Sequence, residues 1–108
     1  LFCRIAAGDV PSRKAYEDQD IYGFHDIQPQ APVHMLFVTK RHFKDAADLT
    51  DPLLFGKLCR AAVETGRSLL EAREGFRLVL YTGPQAGQSV FHIHLHFLAG
   101  RPLAWPPG

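Results

Sequence analysis

His92-Ile93-His94-Leu95-His96 constrains this chain more than any other segment. Histidines alternate with apolar residues inside the run Val90 to Leu98, and strict alternation over β-forming residues predicts a strand. On a strand, residues two apart share a face. His92, His94 and His96 would then line one side, with Phe91, Ile93, Leu95 and Phe97 on the other. Imidazole is suited to act as nucleophile, acid or base near neutral pH, and three in line are hard to explain by packing. A metal site is the serious rival, since His-x-His on a strand is a common ligand pair. One ion cannot comfortably take all three, because the outer Cα atoms would stand about 13 Å apart. A two-histidine site completed by ligands from elsewhere stays open.

The surrounding pattern predicts an antiparallel α+β fold. Cys3 to Ala7 forms a helical turn stopped by Gly8. Strands are expected at Lys14–Glu17, Ile21–Asp26, His34–Thr39, Arg77–Tyr81 and along the histidine run. The stiff connector Gln28-Pro29-Gln30-Ala31-Pro32 ends the second strand. Asp51 as N-cap with Pro52 at the first helical position opens a long helix. Its apolar spacing through Leu54, Leu58, Ala62 and Leu69 carries it to Gly75, with Gly66 as a weak point. Arg101 to Gly108 is a proline-rich tail. At 108 residues with no repeat or linker, residues 1–108 read as a single domain.

Charge and composition exclude several function classes. A formal net charge of +1 gives no broad electrostatic case for nucleic acid or anionic membrane. No apolar run approaches the roughly 18 residues that span a bilayer. The start, Leu1 to Gly8, is too short and lacks the basic lead of a signal peptide. Cys3 and Cys59 make no disulfide framework, so a reduced, cytoplasmic setting is expected.

The loop before the histidines adds a second element of chemistry. Gly87 allows close backbone approach, Gln88 and Ser89 bring an amide and a hydroxyl, and backbone N–H groups come with them. Such a set suits a phosphate, although taken by itself the loop reads better as a plain hairpin turn. Phosphoryl or nucleotidyl transfer needs a nucleophile, charge stabilisation and a proton for the leaving group. Three imidazoles can divide those tasks.

The segment Gly87-Gln88-Ser89-Val90-Phe91-His92-Ile93-His94-Leu95-His96-Phe97-Leu98 resembles the signature of the histidine triad (HIT) family, His-φ-His-φ-His-φ-φ with φ apolar. Phe24-His25-Asp26-Ile27 and Pro29-Gln30-Ala31-Pro32-Val33-His34 are similar to its upstream motifs. Ser89, and Gly100-Arg101-Pro102 with Trp105-Pro106-Pro107-Gly108, resemble the Hint branch. The resemblance implies a HIT-like fold: an antiparallel sheet of about five strands with one long and one short helix. It implies hydrolysis of purine nucleoside 5′-phosphoramidates through a covalent nucleotidyl-histidine.

Residue by residue, the resemblance makes His94 the nucleophile and places His96 at the phosphate, helping with the leaving group's proton. His92 and His34 complete the orienting network behind the nucleophile. Ser89, with backbone groups of Gly87 and Gln88, holds the phosphate, and Asp26 accepts from the ribose hydroxyls. Phe2, Ile5, Val10, Phe24, Ile27 and Leu36 line the base pocket or lie beside it. The same resemblance implies a homodimer whose tail, with Trp105, approaches the partner's active site. The long helix carries more apolar residues than one face needs, which agrees with a dimer. No cofactor is expected. Some HIT proteins bind zinc through Cys-x-x-Cys and two histidines; Cys3, His42 and His92 fit three of those positions, and zinc is not expected here. Tyr81 stands where Hint proteins usually carry Asn, and Pro84-Gln85-Ala86 replaces a more polar, Gly-rich run. The competing functions are dinucleoside polyphosphate hydrolysis, as in the Fhit branch, and purine-nucleotide binding with little turnover.

Overall fold

Val33–Thr39 (β3) alternates so that Val33, Met35 and Phe37 point to one side and His34, Leu36 and Val38 to the other, and all seven residues are buried. A strand apolar on both faces belongs at the centre of a sheet covered on both sides. In the computed structural model, which describes residues 2–108, β3 is the middle of five antiparallel strands. The others are β1 (Lys14–Glu17), β2 (Ile21–His25), β4 (Phe76–Val79) and β5 (His94–Ala99). The spatial order is β1-β2-β3-β5-β4. Leu36 lies opposite His96 and Val38 opposite His94 on β5, while Val79 of β4 lies opposite His96 from the other side.

One face is covered by α2 (Pro52–Arg67). The start of α2 is as expected: Asp51 is extended and its carboxylate accepts from the Leu53 N–H at 3.0 Å, with Pro52 following. Leu58, Ala61 and Ala62 pack on Ile21, Met35, Phe37, Leu95 and Phe97. Gly66 lies against Phe97; a Cβ there would come within 2.1 Å of the ring. That glycine is a contact requirement rather than a flaw in the helix.

The helix ends earlier than its spacing predicts. Leu69 takes an extended backbone, a 3₁₀ turn follows at Leu70–Ala72, and Gly75 sits at φ +137° ahead of β4. Leu69 and the buried Ala72 still join the core, so the apolar period reads straight through the break. The short helix α1 (Phe2–Ala6) covers the opposite face. Phe2, Ile5 and Ala6 pack with Tyr22, Phe24, Leu36 and Val38, and Val10 and Val90 lie alongside. No helix among the described residues is long and apolar enough to cross a membrane.

The histidine strand is shorter than predicted. Residues 90–93 approach β5 without joining the sheet, and Phe91 is 46% exposed rather than facing the core. Two anchors hold this approach against the connector after β3. The Gln88 side chain donates to the carbonyls of Lys44 (2.9 Å) and Val90 (3.1 Å), and the Ile93 N–H donates to Phe43 O at 2.7 Å.

Candidate functional site

On the α1 side of the sheet, His94 opens β5 and is buried. Its Nδ1 lies 2.8 Å from the His92 carbonyl oxygen. A carbonyl only accepts, so Nδ1 carries the proton and Nε2 keeps its lone pair. Burial lowers the His94 pKa, opposed by the His92 carbonyl and the Asp26 charge. The ring meets Phe2 edge-to-face with centroids 4.9 Å apart, Tyr81 at 5.5 Å and His96 at 5.1 Å. The result is a neutral imidazole, one nitrogen pinned and the other bare, which suits a nucleophile at phosphorus.

A second chain of hydrogen bonds runs beside it. The Gln30 N–H donates to His34 Nδ1 at 3.0 Å. His34 Nε2 lies 2.9 Å from His96 Nδ1, and His96 Nε2 lies 3.0 Å from the Tyr81 hydroxyl. Burial lowers the pKa of His34, with Asp26 opposing. It takes His96 to about 4, reinforced by His94 and His34. Asp26 accepts from the Gln28 N–H through Oδ1 at 2.9 Å, and its Oδ2 lies 3.5 Å from His34 Nε2. Asp26 is thus both the turn residue its neighbourhood suggests and a charge beside the histidines.

His92 departs from the expected row. His94 and His96 share the sheet face, but the His92 ring turns away, its Nε2 2.8 Å from the Thr39 carbonyl. That bond fixes the proton on Nε2 and leaves Nδ1 an acceptor, 3.0 Å from Cys3 Sγ and 3.2 Å from His42 Nδ1. His92 therefore acts on His94 through its backbone carbonyl. His34 likewise bonds to His96 rather than standing behind the nucleophile.

Cys3 Sγ and His42 Nδ1 are 3.4 Å apart, so three soft donors converge on one point. They fit a zinc ion in kind and spacing and leave a fourth position of a tetrahedral set open. Asp26, His34 and His96 also cluster. His34 and His96 hydrogen-bond directly there, which accounts for their close approach.

The expected substrate-binding residues divide into two groups. Phe2 and Phe24 are buried, 5.8 Å apart edge-to-face, with Val10 beside them. Ile27 is 93% exposed on the turn after Asp26 and lines nothing enclosed. Trp105 is 83% exposed, on a tail held by the Arg77 guanidinium donating to Leu103 O at 3.1 Å. Gly87 takes the left-handed conformation, at φ +102°. However, the N–H groups of Gly87 and Gln88 donate to Pro84 O and Gly83 O, at 3.0 and 3.1 Å. In this conformation neither is free for a phosphate. Ser89 is exposed at the mouth of the loop.

The buried Gln88 side chain is structural: besides its two donor bonds it accepts from the Gly83 N–H at 2.8 Å. A hollow of about 530 Å³ among Glu74, Phe76, Arg77 and Leu103 lies at the β4 edge, away from the histidines. It has no comparable set of proton-transfer groups, so the chemistry points to the histidine face. The hydrogen bond from His96 to Tyr81 was missed from sequence. The register could have found Tyr81's place, because extending the Val79–His96 pairing by two residues sets Tyr81 opposite His94.

Comparison with known proteins agrees with this geometry. The family model for the HIT domain matches residues 7–103. An uncharacterized HIT-like protein of Synechocystis sp. is 42% identical, over 100% of this chain and 96% of its own length. The crystal structure of a HIT family hydrolase from Legionella pneumophila is 40% identical, with a TM-score of 0.95 over 100% of this chain and 98% of that one. A HIT family hydrolase from Clostridium thermocellum is 34% identical, with a TM-score of 0.89 over 95% and 91%.

Proposed function

Because this chain belongs to the HIT family, we propose that it is a nucleotide hydrolase that cleaves the P–N bond of purine nucleoside 5′-phosphoramidates. The observation that carries this reading is the state of His94: neutral, Nδ1–H donated to the His92 carbonyl, Nε2 bare.

His94 Nε2 attacks phosphorus, the P–N electron pair goes to the departing nitrogen, which takes a proton from an acid beside the site and leaves as the amine, and a nucleotidyl-imidazolium forms whose Nδ1–H stays bonded to the His92 carbonyl. Water then attacks phosphorus, the P–Nε2 pair returns to His94, and the proton that water loses restores that acid. Low pKa values at His34, His94 and His96 keep the rings neutral near pH 7, so no proton occupies the nucleophile's lone pair. Asp26 Oδ2 accepts from the ribose hydroxyls, Phe2, Phe24 and Val10 take the base, and the exposed Ser89 hydroxyl takes the phosphate. HIT hydrolases generally need no cofactor. A zinc ion held by Cys3, His42 and His92 would brace α1 and the His92 segment, outside the reaction.

Residues 1–108 act as one HIT domain in the cytoplasm, as a homodimer. Partly exposed apolar side chains on α2 and β4, including Leu53 and Phe76, support a paired state. The Trp105 tail then serves the partner's site. A dimer mass in sedimentation at micromolar protein is expected; a monomer mass would contradict this assembly.

The test of function is a turnover comparison on purified protein. Adenosine 5′-phosphoramidate should be cleaved with higher kcat/KM than a diadenosine polyphosphate. The reverse ranking would assign the chain to polyphosphate hydrolysis, and binding of both without turnover would make it a nucleotide-binding protein.

A further inference from the structure

The second hydrogen-bond chain takes its direction from its fixed end. A backbone N–H only donates, so His34 Nδ1 accepts from Gln30, and the neutral ring carries its proton on Nε2. His34 Nε2–H therefore donates to His96 Nδ1, which puts the His96 proton on Nε2, and that N–H donates to the Tyr81 oxygen. Tyr81 accepts at its oxygen and keeps its own O–H as the free end of the chain. Its ring stands perpendicular to His94, 5.5 Å away.

His96 is badly placed to give up a proton. It is neutral, its one N–H is committed to Tyr81, and losing it would leave an imidazolate. His34 cannot replenish it, because the Gln30 amide behind His34 cannot surrender its hydrogen. Phenol is a much stronger acid than neutral imidazole, and the phenolate would keep the His96 hydrogen bond.

We propose that Tyr81 is the proton donor to the leaving group in this chain, with His96 and His34 as positioning residues that hold its oxygen; this rests on the hydrolase reading above. As the bond from His94 Nε2 to phosphorus forms and the P–N bond breaks, the electron pair goes to the departing nitrogen, which takes the Tyr81 hydroxyl proton. Tyr81 becomes a phenolate that accepts from His96 Nε2–H. In the second half, water attacks phosphorus, the P–Nε2 pair returns to His94, and the phenolate takes water's proton. Tyr81 and His94 are both regenerated. Burial and the nearby Asp26 raise the Tyr81 pKa, which keeps the hydroxyl protonated at rest. A donor of this kind favours strongly basic amine leaving groups, whose nitrogen needs a proton most.

Tyr81→Phe and Tyr81→Asn separate the acid from the hydrogen-bond partner. The Asn carboxamide still accepts from His96 but cannot serve as the acid. The measurement is single-turnover amine release from adenosine 5′-phosphoramidates of an alkylamine and of 4-nitroaniline, whose departing nitrogen is far less basic, with AMP affinity read alongside. Both variants should lose about 100-fold with the alkylamine. They should lose less than about 10-fold with 4-nitroaniline and bind AMP within a few-fold of wild type. Equal losses on the two substrates, recovery of the alkylamine rate by Tyr81→Asn, or a drop in AMP affinity matching the rate loss would overturn the role of Tyr81. Wild-type protein that releases neither amine would overturn the hydrolase reading, and this one with it.

Discussion

On the α2 face of the sheet, Gly66 lies so close to Phe97 that a methyl group has no room. On the opposite face, the buried rings of His34 and His94 have hydrogen-bond partners on named atoms. Leu95 and Phe97 serve the first face, and His94 and His96 the second, from the same six-residue strand. Apolar packing tolerates small adjustments of shape, so the α2 face sets where β5 lies. Hydrogen bonds specify donor and acceptor, so the histidine face sets which nitrogen of each ring is bare. Position comes from one side of β5 and reactivity from the other.

If that division is right, substitutions on the two faces should fail differently. His94→Ala should reduce turnover by roughly four orders of magnitude or more, since it removes the proposed nucleophile. Its melting temperature should shift little and AMP should still bind. Gly66→Ala should do the opposite. Its methyl meets the Phe97 ring, and overpacking costs about 1–3 kcal/mol, only partly offset by the higher helix propensity of Ala. Denaturant unfolding should show the loss, while kcat per folded molecule stays near wild type. A Gly66→Ala protein of normal stability and poor kcat would mean that the faces are not separable.

The next effect is that of pH. His96 titrates at about 4 in the folded chain and near 6.5 when unfolded, so the unfolded state binds more protons between those values. Stability is full above about 6.5 and falls as pH drops toward 4. His34 and His94, also lowered by burial, add to the same slope. Unfolding at pH 7.5 and pH 5 should show lower stability at pH 5. His96→Gln should flatten the difference; an unchanged slope would remove His96 from the account.

The sheet was readable from the sequence because alternation has a direct cause, with side chains of β3 and β5 serving two faces in turn. The α2 cap was readable from Asp51 and Pro52 for a similarly local reason. The end of α2 was not, because Leu69 and Ala72 keep the helical spacing after the backbone has left the helix. The row of three histidines was legible for His94 and His96. It failed for His92, where contacts distant in sequence decide: Gln88 to Lys44, Ile93 to Phe43 and His92 to Thr39.

The smallest effect concerns Asp26. Its Oδ1 serves the turn and its Oδ2 faces the histidines. Asp26→Asn keeps the shape but turns an acceptor into a donor. Affinity should weaken for ribonucleotides by roughly 10-fold more than for 2′-deoxy analogues, on the scale of a charged hydrogen bond. Equal weakening would place Asp26 away from the 2′-hydroxyl.

The central claim is that His94, alone among the neighbouring histidines, presents a bare Nε2 to phosphorus. Brief reaction of the purified protein with a slow adenosine 5′-phosphoramidate, acid-free quenching and peptide mass mapping tests it. The account predicts an adenylyl group on His94; an adduct on His92 or His96, or none while AMP is being released, would contradict it.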